Sequence, residues 1–166
     1  MDVLIYFDFS YQVLSTTNVK YLKFTGGALT QLLAFALAGS KLTAELPKPI
    51  VAISYASPRV GNKGYLKKYQ ELEKAGKLRH IRVSNEGDVV TVAPSGGFHQ
   101  TGLNLHVAPG KKVAIEYCKD RSFWSQLNTN ALGNHGLATY HKRLFIERNV
   151  TDIESSVEGL YEKHVL

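Results

Sequence analysis

The chain predicts an α/β fold in which a mostly parallel sheet is flanked by helices, and three observations carry that expectation. Ile50-Val51-Ala52-Ile53-Ser54-Tyr55-Ala56, introduced by Pro49, is a near-continuous apolar run of strand length, which suits a central strand covered on both faces. A basic helical stretch and a second strand follow it by residue 84. Strand, helix and strand joined by short loops make a crossover unit whose usual right-handedness places both strands in one parallel sheet. Residues 28–38 form a strongly apolar run closed by Gly39, long enough for a core helix and well short of the roughly 20 residues of a membrane span.

Each element follows from local chemistry. Residues 3–9 and 19–24 read as strands from their β-branched and aromatic content. Gly26-Gly27 then marks a sharp strand-to-helix turn, and residues 28–38 read as a helix apolar on nearly every side, hence buried. Ser57-Pro58 ends the central strand, and Gly61-Asn62 turns the chain into a basic helix over 63–75 that Gly76 stops. Residues 78–84 are a further strand. Pro109-Gly110 sits between strands 103–108 and 111–117, a β-hairpin signal. Residues 134–147 predict a helix with Leu137, Tyr140, Leu144 and Phe145 on one side, and 152–163 a short terminal helix.

The bulk properties narrow the function. A length of 166 residues without repeat or linker predicts a single domain over 1–166. The net charge is +6, with Lys63, Lys67, Lys68, Lys74, Lys77 and Arg79 opposed only by Glu71 and Glu73 between residues 59 and 82. That stretch reads as the solvated face of a helix. It lacks the aromatic-basic platform of a nucleic-acid binder, so no nucleic-acid partner is expected. The lone Cys118 excludes an internal disulfide. The six histidines show no metal-ligand spacing, so neither metal nor cofactor is expected. The N-terminus has no basic region followed by a small-residue cleavage site, which favours a cytoplasmic chain over a secreted one.

Three polar points fall where active sites of α/β sheets lie, after strands and at helix starts. They are the Gly26-Gly27 turn, Asp88 directly after the 78–84 strand, and His135 at the start of the helix that follows. Turn, acid and base in that chain order match the order of nucleophile, acid and base in α/β-hydrolases. Taken singly, Asp88 reads more readily as a turn or cap residue than as a triad acid, and His135 as an inert loop histidine.

Taken together, these segments carry a resemblance. Gly26-Gly27-Ala28-Leu29 is similar to the end of the class 3 (fungal-type) lipase elbow, G-H-S-L-G-G-A-L. Tyr55-Ala56-Ser57-Pro58-Arg59-Val60-Gly61-Asn62 resembles that family's F-G-x-P-R-V-G-N turn. Asn85-Glu86-Gly87-Asp88-Val89-Val90 with Pro94 resembles its segment around the acid, Phe98-His99 and Gly102 resemble the continuation, and Asn134-His135-Gly136-Leu137 with Tyr140 resembles D-H-x-x-Y. The matches run in order from about residue 20 to 144. The resemblance implies a partial α/β-hydrolase fold and Ser-Asp-His hydrolysis of carboxylic esters, typically acylglycerols at a membrane or droplet surface. It makes Asp88 the triad acid, His135 the general base and the Thr25 backbone N–H one oxyanion donor.

The nucleophile breaks the pattern. Its position falls on Phe24, and the preceding Gly-His on Leu22-Lys23. Phenylalanine cannot attack a carbonyl, and the β-branched Thr25 is badly placed to substitute. The segment before the elbow is also far shorter than the family's and leaves out a lid and the other oxyanion donor. The expectation is an N-terminally incomplete domain, inactive as written; a pseudoenzyme that has lost its serine is the competing explanation. The alternative function is a non-catalytic module that binds lipid or anionic membranes through the basic helix.

Overall fold

The computed structural model describes residues 3–6, 26–146 and 156–166. Among these, five strands form one sheet in the order β1 (Val3–Tyr6), β2 (Ile50–Tyr55), β4 (Leu78–Asn85), β6 (Leu103–Val107) and β7 (Ala114–Tyr117). The first four run parallel and β7 is antiparallel to β6. A two-residue ribbon pairs β3 (Gly61–Asn62) with β5 (Phe98–His99). Helices α1 (Gly27–Gly39) and α2 (Lys63–Lys74) cover one face of the sheet. Helices α4 (Leu137–His141) and α5 (Val157–His164) cover the other, and a single turn, α3 (Phe123–Gln126), lies in the connection after β7. The α/β class and the parallel crossover are as the sequence predicts. The expected strand over 19–24 lies outside the described residues.

Strand alternation explains the layers. In β2, Ile50 and Ala52 point to the side where Ala34, Ala38, Tyr69 and Leu78 pack. Ile53 points the other way, to Ile81, Leu103, Leu105 and the α5 residues Leu160 and Tyr161. All eight residues of β4 are buried, as expected of a central strand with both faces covered.

Three sequence expectations are corrected. Helix α1 is not buried all round: Thr30, Gln31, Ala34 and Ala38 face the interior, while Leu29 and Leu32 are exposed. The sheet and α2 cover only one side of it. The Pro109-Gly110 turn forms, with Gly110 at φ 62° and the Lys111 N–H bonded to the Ala108 carbonyl at 3.2 Å, the pattern of a turn with Pro then Gly at its centre. The returning strand, however, begins only at Ala114. The helix expected over 134–147 is broken: Gly133–His135 is a 3₁₀ turn, Gly136 is extended, and α4 passes into a π-helical segment at Lys142–Ile146. The terminal helix starts at Val157, and 152–155 lie outside the described residues.

The basic run also divides. Lys63, Lys67, Lys68, Lys74 and Lys77 are exposed, but Arg79 is buried and ion-paired with Glu158 of α5 at 2.6 Å. Glu73 is wholly buried and joins three elements. Its carboxylate accepts from Tyr117 of β7 at 2.8 Å and from Tyr161 of α5 at 2.7 Å. The Tyr161 hydroxyl also accepts from the His80 N–H at 2.6 Å, at a point of β4 just before β6 begins opposite Ile81.

Burial raises the Glu73 carboxyl from 4.5 to about 7, against the two tyrosine hydrogen bonds and Arg79, which lower it. A carboxyl raised on folding stabilises the fold below its unfolded value and loses that contribution as pH rises through the folded one. Stability should therefore fall by up to about 3 kcal/mol between about pH 4.5 and pH 7. Glu73→Gln should flatten this part of the profile, read by urea unfolding across that range.

Candidate active site

The site lies at the C-terminal edge of the parallel strands, where loops from successive β–α connections meet. β4 ends at Asn85, and Gly87 at φ 80° turns the chain so that Asp88 enters the interior. A side chain at Gly87 would be strained by that φ and would lie 2.5 Å from the Asn134 amide nitrogen. Asp88 caps the 3₁₀ helix Val89–Val92, accepting from the Val90 N–H at 3.0 Å. Its cap role and its position beside His135 are thus held by one side chain.

Asp88 has no exposed surface. A buried carboxylate needs hydrogen-bond partners, and it has three. Besides Val90, the Tyr140 hydroxyl donates to Oδ2 at 2.7 Å, and His135 Nδ1 lies 3.1 Å from Oδ2 and 3.2 Å from Oδ1. Tyr140 in turn accepts from the Asn85 N–H at 3.0 Å, so its hydroxyl bridges β4 and Asp88. Burial and the Asp88 charge hold the Tyr140 hydroxyl well above its ordinary titration range; it remains a donor. A histidine that donates Nδ1–H to a carboxylate leaves Nε2 as a proton acceptor.

His135 is held from behind. The Asn85 amide donates to the Asn134 carbonyl at 3.2 Å, and Arg143 donates to the Asn134 side chain and to the Glu86 carbonyl, each at 2.9 Å. His135 itself is partly exposed and lines a cavity of about 520 Å³ with Gly26, Gly27, Tyr55, Ala56, Val90 and Leu137. The glycine turn and His135, separate in sequence, therefore meet around one apolar space, with Asp88 buried behind the imidazole.

The turn is fixed on its far side by a polar cluster. Gly26 sits at φ 113° and Gly27 packs so closely that an added Cβ would lie 2.6 Å from Ser57 Cβ. Gln31 of α1, wholly buried, donates to Ser57 Oγ and, at 3.0 Å, to the Pro58 carbonyl, and accepts from Thr101 at 2.8 Å. Arg59 is buried with its guanidinium on the Arg121 carbonyl at 2.7 Å. These contacts explain the proline-glycine turn at 58–62: it clamps the start of α1 against the edge of the sheet.

Of the sequence-predicted site residues, Asp88 and His135 are brought together. Thr25 and the nucleophile position, Phe24, lie outside the described residues. His135 occupies the 3₁₀ turn before α4 rather than a helix start. The hydroxyl of Tyr140, read from sequence among the apolar residues of its helix, is in fact the bond to Asp88. Gln31 carried a usable signal, a lone amide inside an otherwise apolar helix. Among the described residues no group of three or more His, Cys, Asp or Glu could hold a metal ion, and no helix is long and apolar enough to cross a membrane.

Comparison with known proteins adds independent findings. Residues 25–98 match the family model for lipase (class 3), which includes the glycine turn, the 58–62 turn and Asp88 and ends before His135. The chain is 29% identical over 144 residues to phospholipase A1-II 4 of Oryza sativa subsp. japonica, covering 84% of this chain and 35% of that protein. It is 35% identical over 83 residues to the chloroplastic galactolipase DONGLE of Arabidopsis thaliana, covering 48% and 17%. The chain thus spans about a third or less of the length of these relatives. Over 71% of this chain and 42% of that one, its fold is similar to that of the lipase from Rhizopus microsporus var. chinensis, with a TM-score of 0.53 at 15% identity.

Tyr140→Phe removes one donor from a buried carboxylate and strands the Asn85 N–H. It should cost roughly 1–3 kcal/mol in denaturant unfolding. Gly27→Ala should destabilise as well, since the obstructing Ser57 atoms include its Cα, 2.8 Å from an added Cβ.

Proposed function

We propose that this chain, whose residues 25–98 match the family model for lipase (class 3), carries the acid and base of a carboxylic-ester hydrolase acting on glycerolipid esters. The observation that carries this reading is the buried Asp88 paired with the partly exposed His135 at the rim of an apolar cavity bounded by Gly26 and Gly27. In this role Asp88 orients the imidazole and stabilises it when protonated. His135 Nε2 takes the proton from a serine hydroxyl at the elbow and returns it to the leaving alcohol. The Thr25 N–H serves as one oxyanion donor. The apolar cavity walls accept the acyl chain. The relatives' names, phospholipase A1 and galactolipase, support ester-bearing glycerolipids as the substrate class.

In this reading the serine is the missing part, since the resemblance puts Phe24 at its position. The chain as written is therefore expected to hydrolyse no short-chain nitrophenyl ester. Joining an upstream half that ends in Gly-His-Ser from an active class 3 lipase to Thr25 should produce turnover. His135→Ala in that chimera should remove it by about a thousandfold or more. A folded chimera that stays silent, or whose turnover survives His135→Ala, overturns the proposal.

A second reading, a non-catalytic module docking on anionic membranes, is favoured by the exposure of Lys63, Lys67, Lys68 and Lys74 along α2. It requires salt-sensitive binding to anionic vesicles that Lys67→Glu with Lys68→Glu weakens.

A further inference from the structure

Asp88 and His135 sit on two separate pieces of backbone, and few contacts fix one against the other. Asp88 lies on the loop that leaves β4 through the positive-φ Gly87. His135 lies on a turn tied within itself: the Asn134 N–H bonds to the Asn130 carbonyl at 2.9 Å, His135 N–H to Leu132 at 3.1 Å and Gly136 N–H to Gly133 at 3.2 Å. A turn closed in this way shifts as a unit, so its register against the acid loop depends on the bonds that cross between them. The Asp88–His135 contact is shared between both carboxylate oxygens, at 3.1 and 3.2 Å, and directs the ring less sharply than a single short bond would. The direct bonds of Asn134 across the gap are long as well, 3.2 Å from the Asn85 amide and 3.4 Å to the Gly87 carbonyl.

Arg143 makes the better crossing. One terminal nitrogen donates to the Glu86 carbonyl, two residues before the acid, and the other to Asn134 Oδ1, next to the base, each at 2.9 Å. Both acceptors are neutral oxygens, while the Glu86 carboxylate turns instead to Lys111 at 3.4 Å. Arg143 stands three residues after Tyr140, where α4 passes into its π-helical segment, an irregularity frequent at functional sites. That element therefore grips the acid loop twice, Tyr140 at the Asp88 carboxylate and Arg143 at the Glu86 carbonyl. Holding two acceptors on different segments calls for a planar fork, which arginine has and lysine lacks.

We propose that Arg143 is a positioning residue for the base: its guanidinium fixes the turn carrying His135 against the loop carrying Asp88, and so keeps the imidazole in the Nδ1–H tautomer with Nε2 free to accept a proton. The inference rests on the reading of Asp88 and His135 as acid and base.

The tautomer is read on the chain as it stands, from long-range proton–nitrogen correlation spectra of the histidine rings at a pH where imidazole is neutral. His135 is assigned by its loss in His135→Gln. Its proton should lie on Nδ1, whereas a free imidazole prefers Nε2. Arg143→Ala, and Arg143→Lys with its charge and stem kept, should each lower the ratio of Nδ1–H to Nε2–H by about fivefold or more. A merely structural role would lower the urea midpoint and leave the tautomer of the folded chain alone. Should Arg143→Ala not fold, Arg143→Lys decides. A wild-type ring protonated on Nε2, or an unchanged ratio in folded Arg143→Lys, overturns the proposal. In the serine-bearing chimera, Arg143→Lys should lower kcat by about a hundredfold with KM little moved. A tautomer that responds to Arg143 in a chain whose chimera is silent counts against the hydrolase reading alone. An active chimera whose kcat and tautomer both ignore Arg143→Lys counts against this inference alone.

Discussion

The Asp88 carboxylate, wholly buried, holds the C-terminal edge of this fold together. Removing a carboxylate from water is costly unless its lone pairs are met, and here the partners come from separate places in the chain. Val90 belongs to the 3₁₀ turn, Tyr140 to α4 and His135 to the turn before it. Satisfying one side chain therefore sets the position of all three. The same requirement explains the local irregularities. Gly87 must take a positive φ to aim Asp88 inward, and the helix must break at Gly136 so that His135 and Tyr140 can approach the carboxylate from different backbone segments.

The interior beneath this edge is unusually polar for a central parallel strand. β4 buries Arg79, His80, Arg82 and Ser84 along with its apolar residues. Ser54 meets His80 and Ser84 meets His106, each at 2.9 Å. Burial lowers both histidines, His80 to about 3 and His106 to about 4, so they are neutral core residues rather than bases. His135 differs from them in being open to the cavity. At the other end of β4, Glu73 draws α2, β7 and α5 to one point. Both ends of the central strand are thus closed by a buried carboxylate bonded to tyrosine.

Much of this was legible in sequence because it rests on local chemistry. The apolar run at 50–56, the glycine stops and the Pro109-Gly110 turn encode their elements through side-chain pattern and backbone freedom. Asp88 and His135 were marked by position, after a strand and before a helix. The helix over 134–147 misled because its apolar spacing is genuine, while the break at Gly136 answers to a carboxylate 47 residues away. Helix α1 misled in the opposite sense: its composition is apolar all round, yet the sheet covers one side. Composition cannot state how many neighbours a helix will have.

The amino-acid sequence by itself determined the α/β class and the parallel crossover, and its ordered motifs carry the resemblance to class 3 lipases that singles out Asp88 and His135. These depend on periodicity and on short ordered motifs. Tertiary structure decided that Asp88 and His135 meet, that Tyr140 serves the carboxylate through its hydroxyl, and that Gln31 clamps the glycine turn to Ser57 and Pro58. The reason is that burial and hydrogen-bond satisfaction are properties of the closed fold, set by partners far along the chain that no local pattern names.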